Sequence, residues 1–425
     1  MLKPISISLS PNVEKDDLIL ALKLLCRPWS WKKRTKIKAK AKAAELEKEF
    51  KNYLGTKHAF AFNSGRSALL AILDSLELEK KDKIILQAFT CNAAVNPIFW
   101  SGLEPVYVDC HEKTFNLDID DLKNKIIFEK TQEKTPRVIM VQHTFGKPAE
   151  INEILKICRE NNLILIEDCA HSLGAEYLGQ KTGTFGKAAF FSFSRDKIIS
   201  SVYGGIAVTN DDKLAQKIKE YQNKINFPSY FWIAQQLLHP ILMNWLILPT
   251  YRILGKYLLL LLQRFQILSK AVHWKEKRGL KPGYFPKKLP DALAFLALNQ
   301  FKKLERFNHH RQKIARFYCQ ELKNLPFFEL PINSSDGKQT FLRFTAKHAK
   351  AHEIIKKAWQ KNILIGDWYD KVIAPHDTKL DKMKYLPGTC PKAEKLAKET
   401  FNLPTHINIS QKEAKKIVKF IKSLT

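Results

Sequence analysis

Asp168 and Lys197 are the residues of this chain whose types and spacing could do chemistry. Asp168 follows the apolar run Leu163 to Ile166 and Glu167, and Lys197 follows a second run, Ala188 to Phe193. Short continuous apolar runs suit strands buried on both faces of a sheet. A buried strand rarely ends in two carboxylates unless they are solvated or face a charged partner. A third run, Ile206 to Thr209, starts after Gly204 and Gly205. An acid at one strand end and a lysine after the next is the pair that pyridoxal phosphate requires. The lysine amine forms a Schiff base with the cofactor, and the carboxylate keeps the pyridine nitrogen protonated so that the ring can draw electrons. Taken alone the pair has little specificity, because most aspartates and lysines are solvated surface groups.

The surrounding words are specific. EDCAHSLGAEYLGQKTGTFG, then FSFSRDK and GGIAVTN, closely resemble the core of the DegT/StrS family of sugar aminotransferases, fold-type-I pyridoxal phosphate enzymes. The resemblance implies that Asp168 pairs with the pyridine nitrogen and that His171 contacts the ring. It implies that Ser192 holds phosphate and that Lys197 bonds the cofactor. It also implies amino transfer to a keto-sugar, usually nucleotide-linked, with glutamate as donor, in a homodimer whose active site lies at the subunit boundary.

The elements around these residues follow from pattern. Ala41 to Tyr53 reads as a charged helix closed by Gly55, a suitable C-cap. Ala59 to Phe62 is a short strand, and Asn63-Ser64-Gly65-Arg66-Ser67-Ala68 opens a helix with Leu69, Leu70, Ile72 and Leu73 on its apolar side. Such a helix start presents free N–H groups and a positive dipole end to a phosphate. The family cradles the cofactor phosphate with S-G-T-x-A-L, which assigns Gly65, Arg66 and Ser67 to cofactor binding, with Arg66 in place of the usual threonine. After the strand Ile84 to Leu86, the word Gln87-Ala88-Phe89-Thr90-Cys91-Asn92 stands where the family places its ring-stacking aromatic residue. Cys91 takes that position in register and Phe89 lies two residues earlier; either could serve. By the resemblance, Pro105 to Asp109 and Val138 to Val141 match further strands of the family. His143 follows the latter, and a histidine there is more often satisfied by backbone than catalytic. Strands alternating with helices through residue 210 predict a mostly parallel sheet with ligands at its carboxyl edge. The expected fold class is α/β, a seven-stranded-type sheet flanked by helices, with a smaller C-terminal α+β domain.

Two stretches depart from the family. Residues 16 to 35 place an apolar amphipathic stretch before a basic cluster, as an interfacial helix or one docked on the catalytic domain would. In residues 225–283 a long apolar insert intervenes before Gly283-Tyr284-Phe285-Pro286-Lys287, where Phe285 stands in place of the asparagine that reaches a partner subunit's phosphate in the family. Between Lys224 and Arg252 there is no formally charged residue. That is long enough to cross a bilayer, for which about 20 apolar residues suffice. Gln235, Gln236, His239, Pro240 and Asn244 suit its centre poorly. Catalytic segments on both sides must also share a compartment. The insert therefore reads as a helical hairpin lying in one leaflet, with Trp232, Trp245 and Tyr251 at headgroup level, or as core helices at a dimer seam. The expected divisions are 1–35, an amphipathic and basic segment; 36–224, a large cofactor-binding domain; 225–283, the insert; and 284–425, a long linking helix and small domain.

Composition limits the rest. The formal net charge of +29 draws anions such as phosphorylated substrates or an acidic membrane surface. No zinc finger, RNP word or helix-turn-helix pattern is legible, so nucleic acid is not an expected partner. Seven scattered cysteines without a CxxC pair indicate neither a disulfide framework nor a zinc site. Met1 to Asp17 is too polar for a signal peptide. A cytoplasmic setting follows, with peripheral attachment to the inner face of the cell membrane. Two rivals are a sugar dehydratase, which typically replaces the lysine with histidine, and a non-catalytic membrane-associated protein on a retained aminotransferase scaffold.

Overall fold

The computed structural model describes residues 3–32, 41–131, 135–331 and 337–424. Most of the basic cluster expected after the first amphipathic stretch, residues 33–40, lies outside the described residues. Seven strands form the central sheet: β1 (His58–Phe62), β2 (Lys83–Gln87), β3 (Glu104–Val108), β4 (Val138–Gln142), β5 (Ile164–Asp168), β6 (Ala188–Ser192) and β7 (Gly205–Thr209). Their spatial order is β1-β7-β6-β5-β4-β2-β3. All neighbours pair in parallel except β7, which runs antiparallel to both β6 and β1.

The alternation along each strand explains the layers, since successive side chains point to opposite faces. In β1, Phe60 and Phe62 join one buried cluster while Ala59 and Ala61 join another. In β2, Ile84 and Leu86 face the first cluster, and Ile85 faces a third that includes Val106, Val108, Ile139 and Leu165. Both faces are covered, and so the strands read as unbroken apolar runs.

Eight helices matter for the site: α1 (Lys15–Leu25), α2 (Lys42–Leu54), α3 (Gly65–Ser75), α4 (Asn92–Trp100), α5 (Tyr230–Leu242), α6 (Lys256–Arg264), α7 (Asp291–Phe301) and α8 (Leu304–Leu322). Helix α2 ends at Gly55 in the left-handed region, φ 74°, as expected of a C-cap. Helix α1 is docked on the sheet domain. Leu18, Ala21 and Leu24 are buried, the helix packs on α5 and α7, and Lys303 binds Asp16 and Asp17 at its start. The expected long linking helix is two helices. It breaks at Lys302–Lys303, where the chain turns from the sheet domain to the smaller unit. There Phe344–Lys347 pairs antiparallel with Thr400–Leu403, and Tyr318, Phe344, Phe401, Ile417 and Ile421 form a separate core. Ile5 belongs to that core too, through a parallel pairing of Ile5–Ser6 with Ile363–Leu364.

The insert differs from the hairpin that composition predicts. Its first limb is part of the protein core: Trp232, Ile233, Leu237 and Ile241 are buried in the cluster shared with α1, α2 and α7. Burying four such side chains stabilises by roughly 6–12 kcal/mol in all, a strong preference over leaving that face for lipid. Trp232, expected at headgroup level, is instead packed edge-on against Tyr203, 5.3 Å between ring centres. Of the polar residues that suit a bilayer poorly, Gln235, Gln236 and Asn244 find partners within the chain, whereas His239 is buried with no hydrogen-bond partner among the described residues. Gln235 donates to the Gln266 carbonyl, and Gln236 donates to the Trp232 carbonyl at 2.9 Å. The second limb is different in kind: α6 has no buried residue. The limbs Tyr230–Ile247 and Tyr251–Arg264 meet at 114°, and among the described residues no single helix is long and apolar enough to cross a membrane.

Candidate active site

Register brings the site together. Phe62 stands opposite Gly205 and Gly205 opposite Ser192, while Phe190 stands opposite Asp168. The carboxyl ends of β1, β6 and β5 thus lie along one edge of the sheet, with the start of β7 between the first two, and the chain leaving β1 turns straight into α3. Ser64 caps α3, accepting from the Ser67 N–H at 3.0 Å. Gly205 permits the close approach: a Cβ there would lie 2.3 Å from the Gly65 nitrogen. A cavity opens at this edge, lined among others by Gly65, Arg66, Cys91, Asp168, His171, Ser192 and Lys197. Seven of the nine residues assigned from sequence therefore meet in one place.

The other two do not line it. Ser67 is buried one turn into α3 and donates to Asn63 Oδ1 at 2.7 Å. Phe89, one of the two ring-stacking candidates, is wholly buried behind the wall, against Phe115, Phe145 and Tyr369. Its apolar ring has more surface to bury in that cluster than at the cavity edge. Cys91 stays at the wall, its thiol raised by burial.

Glu167 and Asp168 divide two tasks. Glu167 accepts from the Gly183, Phe185 and Gly186 N–H groups at 2.7–2.8 Å and from His143 at 3.1 Å. That buried pair fixes the turn leading into β6 and accounts for His143, which also accepts from the Ala149 N–H. Asp168 points into the cavity. Its carboxylate accepts from the Ala170 N–H at 2.9 Å and has no other hydrogen-bond partner among the described residues. Burial raises its pKa, against the pull of that N–H and of Lys197. Burial in turn lowers the Lys197 amine to about 8, against the pull of Cys91 and Asp168. His171 is kept neutral, its pKa lowered well below the ordinary value by burial and by the charges of Lys197 and Arg343. Its Nδ1 accepts from the Phe145 N–H at 3.3 Å.

Several residues in the wall or behind it escape sequence reasoning. Trp368 stacks on His171 with ring centres 5.5 Å apart and has the Lys197 amine 5.0 Å above its ring. Arg343 lies 3.4 Å over the same indole. Asn12, from the N-terminal segment, donates to the Lys197 and Ile198 carbonyls and accepts from Arg311 at 2.7 Å. The insert contributes too, because Ala271 and Val272 line the cavity. Arg66 pairs with the buried Glu276 at 2.7 Å and donates to the Ala271 carbonyl. Arg195 donates to Ser269 Oγ at 2.6 Å, which donates to Gln236 Oε1 at 2.8 Å. The signal for Trp368 was weak: an aromatic pair between two acids, Asp367-Trp368-Tyr369-Asp370, after an apolar run.

These features fit pyridoxal phosphate. Asp168 is a buried carboxylate short of a cation, which a protonated pyridine nitrogen supplies. The start of α3 and Ser192 offer donors to a phosphate, and the buried Arg195 Nε has no acceptor among the described residues. The amine of Lys197 is partly neutral at neutral pH.

A sequence profile of the DegT/DnrJ/EryC1/StrS aminotransferase family matches residues 31–227 and 260–422. The chain belongs to this family. The DegT/DnrJ/EryC1/StrS profile skips 228–259, the first limb of the insert and most of the second, and the family's cofactor is pyridoxal 5'-phosphate. An uncharacterized protein of Methanocaldococcus jannaschii is 32% identical over 282 residues, 66% of this chain and 62% of that protein. GDP-perosamine synthase of Caulobacter vibrioides is 40% identical over 177 residues, 41% of this chain and 46% of the synthase. The matches thus span less than two thirds of both relatives. Among solved structures, Helicobacter pylori PseC, an aminotransferase involved in the biosynthesis of pseudoaminic acid, shares the fold with a TM-score of 0.74 at 21% identity, covering 99% of both chains.

Proposed function

We propose that this chain is a pyridoxal phosphate-dependent aminotransferase. It moves an amino group from an amino acid, glutamate by family resemblance, to the carbonyl carbon of a keto-sugar on a nucleotide or lipid carrier. The observation that carries this reading is the Lys197 amine and the Asp168 carboxylate facing one cavity at the carboxyl edge of the sheet. When bound, the cofactor supplies an electron sink for the carbon that loses a proton. Asp168 would hold the pyridine nitrogen protonated, and the start of α3 with Ser192 would hold the phosphate. Lys197 would be the base that takes the proton from the α-carbon of the amino-acid donor and, in the second half, the acid that returns a proton to the sugar carbon receiving the amine. Its lowered pKa suits both directions, because a base that titrates near the working pH can accept and return a proton. Trp368 and His171 flank that path and keep water from the amine. The products are a keto acid and an amino sugar.

The lysine favours this reading over a sugar dehydratase. A homodimer is part of it, on the strength of the resemblance, as is a cytoplasmic setting at a membrane's inner face, for which the cysteine pattern and basic charge speak. The test is mass analysis of products from a panel of nucleotide-linked keto-sugars with glutamate, together with borohydride trapping. Amino-sugar formation and a cofactor label on Lys197 are expected. A colourless protein that stays colourless with added cofactor would replace the proposal by the scaffold reading.

A further inference from the structure

The second limb of the insert exposes what a folded chain ordinarily hides. Trp245 and Leu246 at the bend, and Ile253, Leu254, Tyr257, Leu260 and Leu261 beyond it, are all large, apolar and exposed, from 42% for Leu246 to 68% for Tyr257. Phe265, Ile267 and Trp274 continue the exposed series along the return segment. Ten such residues within thirty positions are not the scattered single exposures that any surface shows.

Charge specifies what covers this surface. There is no acidic residue between Glu220 and Glu276. Arg252, Lys256, Arg264 and Lys270 are exposed in the same interval, and none of them pairs with a carboxylate among the described residues. An apolar face edged with cations alone complements an apolar layer edged with anions, which is an acidic lipid surface. A second copy of the chain would bring the same cations against these. The first limb, buried in the core, serves as the foundation and leaves the second limb free to touch lipid.

The surface also has a fixed relation to the site. Ala271 at the cavity wall lies seven positions past the end of α6 at Arg264, at most about 25 Å of extended chain. The path is pinned to the cavity wall: the Tyr203 hydroxyl donates to the Lys270 carbonyl at 2.7 Å, and Arg195 is joined through Ser269 to Gln236. We propose that residues 245–274 form a docking surface for anionic lipid bilayers, entering one leaflet without crossing it, and that docking brings the cavity mouth to the headgroup layer. This specifies the surface and the lipid class of the membrane placement proposed above, and it does not depend on the aminotransferase chemistry.

The experiment is flotation of the full-length holoenzyme with phosphatidylglycerol–phosphatidylcholine vesicles and with phosphatidylcholine alone, at low salt. Binding to the anionic vesicles is expected. The variant Arg252→Gln/Lys256→Gln/Arg264→Gln should bind them roughly a hundredfold more weakly, at about 1 kcal/mol for each cation near the surface. Leu254→Gln/Leu260→Gln/Leu261→Gln should fail to float while keeping its bound-cofactor absorbance, because these side chains are already exposed and lie outside the core. Lys197→Ala, which tests catalysis, should float as the parent does, so a failure of the chemistry and a failure of docking are separable. A parent protein that ignores anionic vesicles overturns the proposal. So does a triple-leucine variant that floats normally. A variant that turns dimers into monomers, from a parent that never floats, would make the face a subunit seam instead.

Discussion

At the scale of single residues, Lys197 carries the sharpest expectations. Replacing it with alanine removes both the attachment point and the base, so Lys197→Ala should lose transamination by ~10⁴-fold or more while circular dichroism stays native; retained turnover would remove Lys197 from the mechanism. Only the neutral amine can attack the cofactor's aldehyde. With the amine lowered to about 8 by burial, cofactor capture by the cofactor-free protein should rise about tenfold per pH unit below 8 and level off above it. A plateau reached only near pH 10.5, the ordinary lysine value, would show that burial does not act on this amine. Asp168→Asn should keep the cofactor bound but slow turnover by ~10²–10³-fold, the scale of losing one aimed electrostatic partner; near-normal turnover would place the acid elsewhere. Asp168, His171, Ser192 and Lys197 were legible because they follow two neighbouring strands within thirty residues of sequence. Trp368, Arg343 and Asn12 reach the same loop from positions 146 to 185 residues away. No local pattern announces such contacts; only the packing of the small unit against the sheet does.

At the scale of elements, strand runs and helix starts read directly from sequence because local physics sets them. Apolar runs of four to six residues became the buried strands, and Ser64 with Gly65 opened α3. The insert could not be read in the same way. Its apolar composition is equally compatible with lipid and with core, and which limb goes where depends on the apolar faces that α1 and α7 offer. The return segment shows the consequence. Arg66, where the family has threonine, finds its counter-ion in Glu276, which lies on the chain that the insert brings back. Removing one partner of a buried ion pair leaves an uncompensated charge, so Glu276→Ala should destabilise by about 3–5 kcal/mol in denaturant unfolding. Removing both charges is less costly. Arg66→Thr combined with Glu276→Ala should therefore recover most of that loss. A double variant no more stable than Glu276→Ala would mean that the pair is not what holds the segment.

At the scale of the whole molecule, a net charge of +29 acts on every association of the chain, and its sign depends on the partner. Two copies repel one another, and salt relieves that repulsion; a copy and an acidic bilayer attract, and salt weakens the attraction. The range of both effects falls from about 30 Å at 0.01 M ionic strength to about 8 Å at 0.15 M. The buried Phe285 stacks on Trp100 and lies under Arg66 within its own chain, so the aromatic substitution does not itself demand a partner subunit at that point. In the proposed homodimer, pairing would rest on apolar contact working against like charge. Sedimentation across this salt range should show the fraction of homodimer rising with ionic strength, while the fraction bound to anionic vesicles falls. The opposite slopes separate the two uses of an apolar surface. If the exposed limb of the insert were the dimer seam, vesicle binding would be absent at every salt concentration and only the rising slope would remain. A dimer that dissociates as salt is added would require ion pairs across the seam, and would place the seam away from the cationic insert.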